Sequence, residues 1–171
     1  MQPNFSNFPL HKRFHPIPEG CVVHDARLAR ATEELYAEEL AAVASASYRS
    51  MLCESCAPSL AGFFHEQTYD EIAHFRFLGE LILALGGNPA IRSQVRVEPM
   101  RVATDGGADP GIMACAVARA ALGDKRRSVD RYQTLLGRCE DRVVRSLLLA
   151  LIDDEQRHAE YLRHFLETDK N

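Results

Sequence analysis

No stretch of this chain approaches the roughly 18 uncharged apolar residues that a membrane-spanning helix needs, so a membrane is not expected among its partners. The N-terminus, MQPNFSNFPLHKRFHPIPEG, carries no apolar core of the kind an export signal has. Cysteine is sparse and odd in number, five in 171 residues. Without an export signal, these read as reduced thiols in the cytoplasm rather than a disulfide framework. Excess charge is lacking too. A net charge of -4 gives no reason to expect nucleic acid or an acidic membrane surface as partner. Apolar content of 46% and charged content of 26% are ordinary for a soluble globular protein, and the length suits one domain with a sizeable core.

What is present is helical periodicity. Residues 1–24 read as an extended N-terminal arm, because Pro3, Pro9, Pro16 and Pro18 exclude a regular helix. From residue 25 to 171 the pattern predicts an all-α four-helix bundle. Asp25 caps a first helix running to about Leu52, and Pro58-Ser59 starts a second that stops at Gly86-Gly87-Asn88-Pro89. Some 22 residues without a period follow, from Pro89 to Pro110. A third helix is expected over about Gly111–Leu136 and a fourth over about Asp141–Thr168. Short, long and short connections describe two hairpins joined by a long crossover.

Two words recur in this frame, Asp70-Glu71-Ile72-Ala73-His74 and Asp154-Glu155-Gln156-Arg157-His158. A Glu and a His three apart share one side of a helix. Leu60, Phe64, Leu78, Leu81 and Leu85 form an apolar stripe that Gln67, Glu71 and His74 continue. Val144, Leu148, Leu151, Leu162 and Phe165 do the same around Glu155 and His158. Each polar pair therefore interrupts a core-facing stripe near its middle. Two carboxylates and two imidazoles aimed at one interior call for something cationic between them.

A two-metal carboxylate bundle also needs one acid from each of the other two helices. In helix one, Glu38 shares a stripe with Leu28, Leu35 and Ala42, and Glu39 is a competitor, four after Leu35 and four before Val43. In helix three, Asp124 lies with Val117, Ala121, Ser128 and Leu135, whereas Asp130 falls on a face with Arg126 and Arg127. Asp124 is the better candidate. Asp70 and Asp154 are expected to accept from the imidazole N–H groups.

On these residues the chain resembles the ferritin-like superfamily, specifically its rubrerythrin and bacterioferritin group of two-metal proteins. Glu-Leu-Ile-Leu-Ala-Leu-Gly-Gly-Asn-Pro (Glu80–Pro89) is similar to that group's end of helix two. Gly123-Asp124-Lys125 followed by Tyr132 is similar to its helix-three Glu-Lys…Tyr pattern, with Asp124 where Glu is usual. The resemblance implies Glu38, Glu71, His74, Asp124, Glu155 and His158 as ligands of two metal ions, with Glu71 and Glu155 bridging or chelating. Ligand type suits iron or manganese and admits zinc without choosing among them; with the resemblance, iron is the expected metal, manganese the next and zinc the least expected.

The resemblance further implies a cytoplasmic non-haem oxidoreductase that reacts with peroxide or dioxygen, fed by a separate electron donor and built as a homodimer. Iron storage with ferroxidase activity and a manganese catalase are the alternatives. The chain ends soon after helix four, without the short fifth helix usual in storage shells, which favours the oxidoreductase. Cys53-x-x-Cys56 is a lone word and reads as two incidental thiols. His65 and His164 fall off the stripes and are expected at the rim. Tyr36, Tyr69, Tyr132 and Tyr161 are expected in the core with bonded hydroxyls.

Overall fold

A computed structural model describes residues 17, 20, 22–91, 95–97, 99–100 and 109–168. Among them are four helices and no strand: α1 (Ala26–Cys53), α2 (Pro58–Ala84), α3 (Pro110–Gly137) and α4 (Arg142–Thr168). Most of the expected N-terminal arm, and residues 92–94, 98 and 101–108 of the expected crossover, lie outside the described residues. No helix among the described residues is long and apolar enough to cross a membrane.

The boundaries have local causes. Asp25 Oδ1 accepts from Arg27 N and Leu28 N at 2.9 Å each, satisfying donors that the first turn of α1 would leave open. Its own N–H donates to Leu85 O at 3.1 Å, which ties the start of α1 to the end of α2. Pro58 opens α2, where a missing N–H is harmless. Two glycines end it. Gly86 takes φ +82, a left-handed conformation that a side chain resists. At Gly87 a Cβ would lie 2.8 Å from Ile82 Cγ2 and 3.0 Å from Ala29 Cβ, so the turn closes on α1 only without one. Asp109 caps α3 through Gly111 N, and Asp141 caps α4 through Val143 N and Val144 N.

Helices α1 and α2 pack along each other, as do α3 and α4, and the hairpins meet through α1 against α3 and α2 against α4. Two apolar clusters form. One gathers Leu28, Leu35, Phe77, Leu81, Tyr132 and Leu148, the other Cys53, Leu60, Phe64, Val117, Ala121 and Leu162. On each helix the buried charged residues fall in sequence between the two clusters. Both stripes read around the recurring words are buried, from Leu60 to Leu85 and from Val144 to Leu162, with Phe165 partly so.

The hairpins repeat one another residue by residue. Along α2 and α4 the buried pairs Leu60/Val144, Phe64/Leu148, Glu71/Glu155, His74/His158 and Leu78/Leu162 stand at one constant offset. Along α1 and α3, Leu28/Ala114, Thr32/Ala118, Leu35/Ala121 and Ala46/Tyr132 do likewise, and Cys53/Cys139 continues the offset just past the end of α3. On that second register Glu39 corresponds to Lys125, and both are 2% exposed.

Candidate metal centre

Between the apolar clusters the four helices bring together Glu39 from α1, Glu71 and His74 from α2, Lys125 from α3, and Glu155 and His158 from α4. All are buried. Glu39, Glu71, His74 and Glu155 each offer a ligand atom, and these atoms lie within 4.8 Å of one another. His74 Nδ1 is 3.7 Å from Glu39 Oε2, 3.6 Å from Glu71 Oε2 and 3.4 Å from Glu155 Oε1. Glu39 Oε2, Glu71 Oε2 and His158 Nδ1 are buried with no hydrogen-bond partner among the described residues. Buried polar atoms are ordinarily bonded, so this convergence leaves room for a ligand.

Each imidazole reaches across to the other hairpin. His74 Nε2 lies 3.4 Å from Asp154 Oδ2, and His158 Nε2 lies 3.1 Å from Asp70 Oδ2. A carboxylate only accepts, so Nε2 carries the hydrogen and Nδ1 turns its lone pair to the cluster when a cation is present. Asp154 is held in turn by Arg157. Gln67 Nε2 donates to Glu71 Oε1 at 2.8 Å, and Tyr132 Oη donates to Glu39 Oε1 at 2.5 Å.

Two residues favoured from the sequence are not brought in. Glu38 is ion-paired to Arg131 with 41% of its side chain exposed, and Glu39, one residue on, is the acid that faces the interior. Asp124 pairs with Arg49 and Arg127, its side chain 37% exposed. One residue turns a helix by about 100°. The buried seam of α3 runs Ala114, Ala118, Ala121, Lys125, Tyr132, Leu135, which leaves Asp124 to the side. Lys125 looks like surface in the run Lys125-Arg126-Arg127, and only its spacing, four after Ala121 and seven before Tyr132, marks it as buried. Tyr69 is exposed rather than core, and His65 and His164 are exposed. Cys53 and Cys56 are free thiols, and burial pushes Cys53 up to about 12, against a reactive dithiol.

Charge dominates the interior. Burial, with the neighbouring Glu71 and Glu155, raises the Glu39 carboxyl from 4.5 to about 7 although His74 opposes it. Burial also acts to raise Glu71, but the Lys125 ammonium, with His74 and His158, outweighs it and holds Glu71 well below the ordinary range. For Lys125 and His74 burial disfavours the charged form. Glu155 and Glu71 outweigh it at Lys125, and Glu155, Glu39 and Glu71 do so at His74, raising both. Burial and Glu39 raise the Tyr132 hydroxyl well above its usual value, so it stays a donor. The glutamates thus favour positive charge among them, and the raised Lys125 and His74 answer to it.

A family model, the ferritin-like domain, matches residues 29–171. The chain belongs to the ferritin-like family. A search of curated proteins finds no match. A ferritin-like domain with a buried glutamate–histidine cluster fits the plan of a two-metal site. Glu39, Glu71, Glu155 and His74 suit one divalent ion, their oxygens and single nitrogen matching iron or manganese and admitting zinc. The second position of such a ferritin-like centre is bounded by Glu71, Glu155 and His158, and there α3 presents an ammonium where the plan has a carboxylate.

Proposed function

We propose that this ferritin-like protein is a non-haem iron or manganese oxidoreductase of the rubrerythrin-like type, acting on peroxide or dioxygen. The observation that carries the reading is the crossed pair His74–Asp154 and His158–Asp70 beside three buried glutamates. Carboxylates so deeply buried with oriented imidazoles are costly without a cation to hold.

When bound, the metal supplies the redox chemistry toward the oxidant. The chain does the rest. Asp154 and Asp70 fix the imidazole tautomers. Tyr132 Oη donates its hydrogen to Glu39 Oε1, which leaves Oε2 facing His74. The apolar residues on both sides, among them Phe64, Leu78, Leu151 and Leu162, keep bulk water out. Electrons come from a separate donor, and the family resemblance supports cytoplasmic work as a homodimer, which sizing chromatography checks.

The test is turnover of hydrogen peroxide by iron-loaded protein with an added reductant. Catalytic consumption is expected, with loss in His74→Ala. A metal-loaded protein inert to both peroxide and dioxygen overturns the reading.

A further inference from the structure

We propose that the centre holds one divalent metal ion per chain and that the Lys125 ammonium stands in for the second. The inference rests on the metal-centre reading above and sharpens it.

Position comes first. Glu71 is divided between two sides. Its Oε2 faces His74 Nδ1 and Glu39, while its Oε1 is ion-paired to Lys125 and lies 3.8 Å from His158 Nδ1. Lys125 Nζ is also 2.9 Å from Glu155 Oε2 and 3.2 Å from Glu155 Oε1. The ammonium therefore binds both glutamates on the His158 side. A metal there would need bonds of about 2.0–2.2 Å to the same oxygens, closer than Nζ and a cation can share. Lys125 is 2% exposed, and α3 offers no acid on its buried seam.

Charge agrees. Glu39, Glu71 and Glu155 bring three negative charges to the cluster, and one ammonium with one divalent ion brings three positive ones. Asp154 is already matched by Arg157, and Asp70 is partly exposed at 15%. Two divalent ions beside Lys125 would leave two positive charges uncompensated in the interior, which burial penalises heavily. Register agrees as well. Lys125 occupies the α3 position that Glu39 occupies on α1, and replacing a carboxylate there by an ammonium adds two units of charge, those of one divalent metal.

The test is anaerobic titration of the metal-free full-length protein with manganese(II), read by elemental analysis after desalting and by electron paramagnetic resonance. One manganese per chain with the resolved hyperfine pattern of an isolated ion is expected. Lys125→Glu is expected to bind two, with the broadened signal of a coupled pair. Two coupled ions in the unaltered protein overturn this inference and leave the metal-centre reading standing. A folded Lys125→Glu protein that still binds one also overturns it. Binding of neither manganese(II) nor iron(II) overturns both. The stoichiometry of the unaltered protein decides even if the variant does not fold.

Discussion

Glu71 and Glu155 face one another in the interior and share the Lys125 ammonium between them. Lys125→Met keeps the length and removes the charge, so the metal-free variant should lose about 3–5 kcal/mol, the usual cost of orphaning a buried charge. Urea denaturation reads this directly, and a loss below about 1 kcal/mol would show that Lys125 is not the compensating charge. Glu39 sets a pH slope. Its carboxyl is raised from 4.5 to about 7, so the folded state holds that proton more tightly than the unfolded chain. The stabilisation is complete below about pH 4.5 and is lost as pH rises through about 7. Glu39→Gln should flatten this part of the metal-free stability profile. Asp154→Asn should weaken metal binding by roughly 10–100-fold, since it disturbs the tautomer of His74 without removing a ligand. Equal affinities in a competition titration would count against that role.

Elements show why the sequence was readable up to a point. The stripes of α2 and α4 are apolar on both sides of their polar words, so Glu71, His74, Glu155 and His158 lie in the interior where their spacing puts them. Helix α1 has neighbouring acids and α3 a neighbouring acid and base, and a one-residue shift is all that separates the inward from the outward candidate. On α1 the run from Leu40 to Ala44 is apolar all round yet none of it is buried, so apolar residues there do not mark the inward face. On α3 small alanines carry the seam and give it little contrast. Expecting an acid led to Asp124, whereas the interior holds its basic neighbour. The closing turn of α2 gives an element-scale prediction. Gly87→Ala pushes a methyl against Ile82 and Ala29 and should cost about 1–3 kcal/mol, seen as a lowered denaturation midpoint, while Gly62→Ala, which meets nothing within 4 Å, should not.

At the scale of the whole molecule, metal binding at this cluster would be coupled to folding, because the candidate ligands come from three helices and both hairpins. Saturation at about 100 times Kd should add roughly 2.7 kcal/mol, or about 5–10 °C in Tm, for iron(II) or manganese(II). A chelator should remove the shift, and an unchanged Tm would mean the folded state gains nothing from the ion.

The crossing of the histidine–aspartate pairs bears on when a metal could be held. Each hairpin carries an imidazole whose aspartate belongs to the other, so neither half owns a finished ligand. A nascent first hairpin, emerging with α1 and α2 alone, offers free metal an unoriented ring and two mutually repelling acids. Capture waits until the second hairpin docks. A metal bound by this cluster would therefore come last, and its uptake would report that assembly is complete.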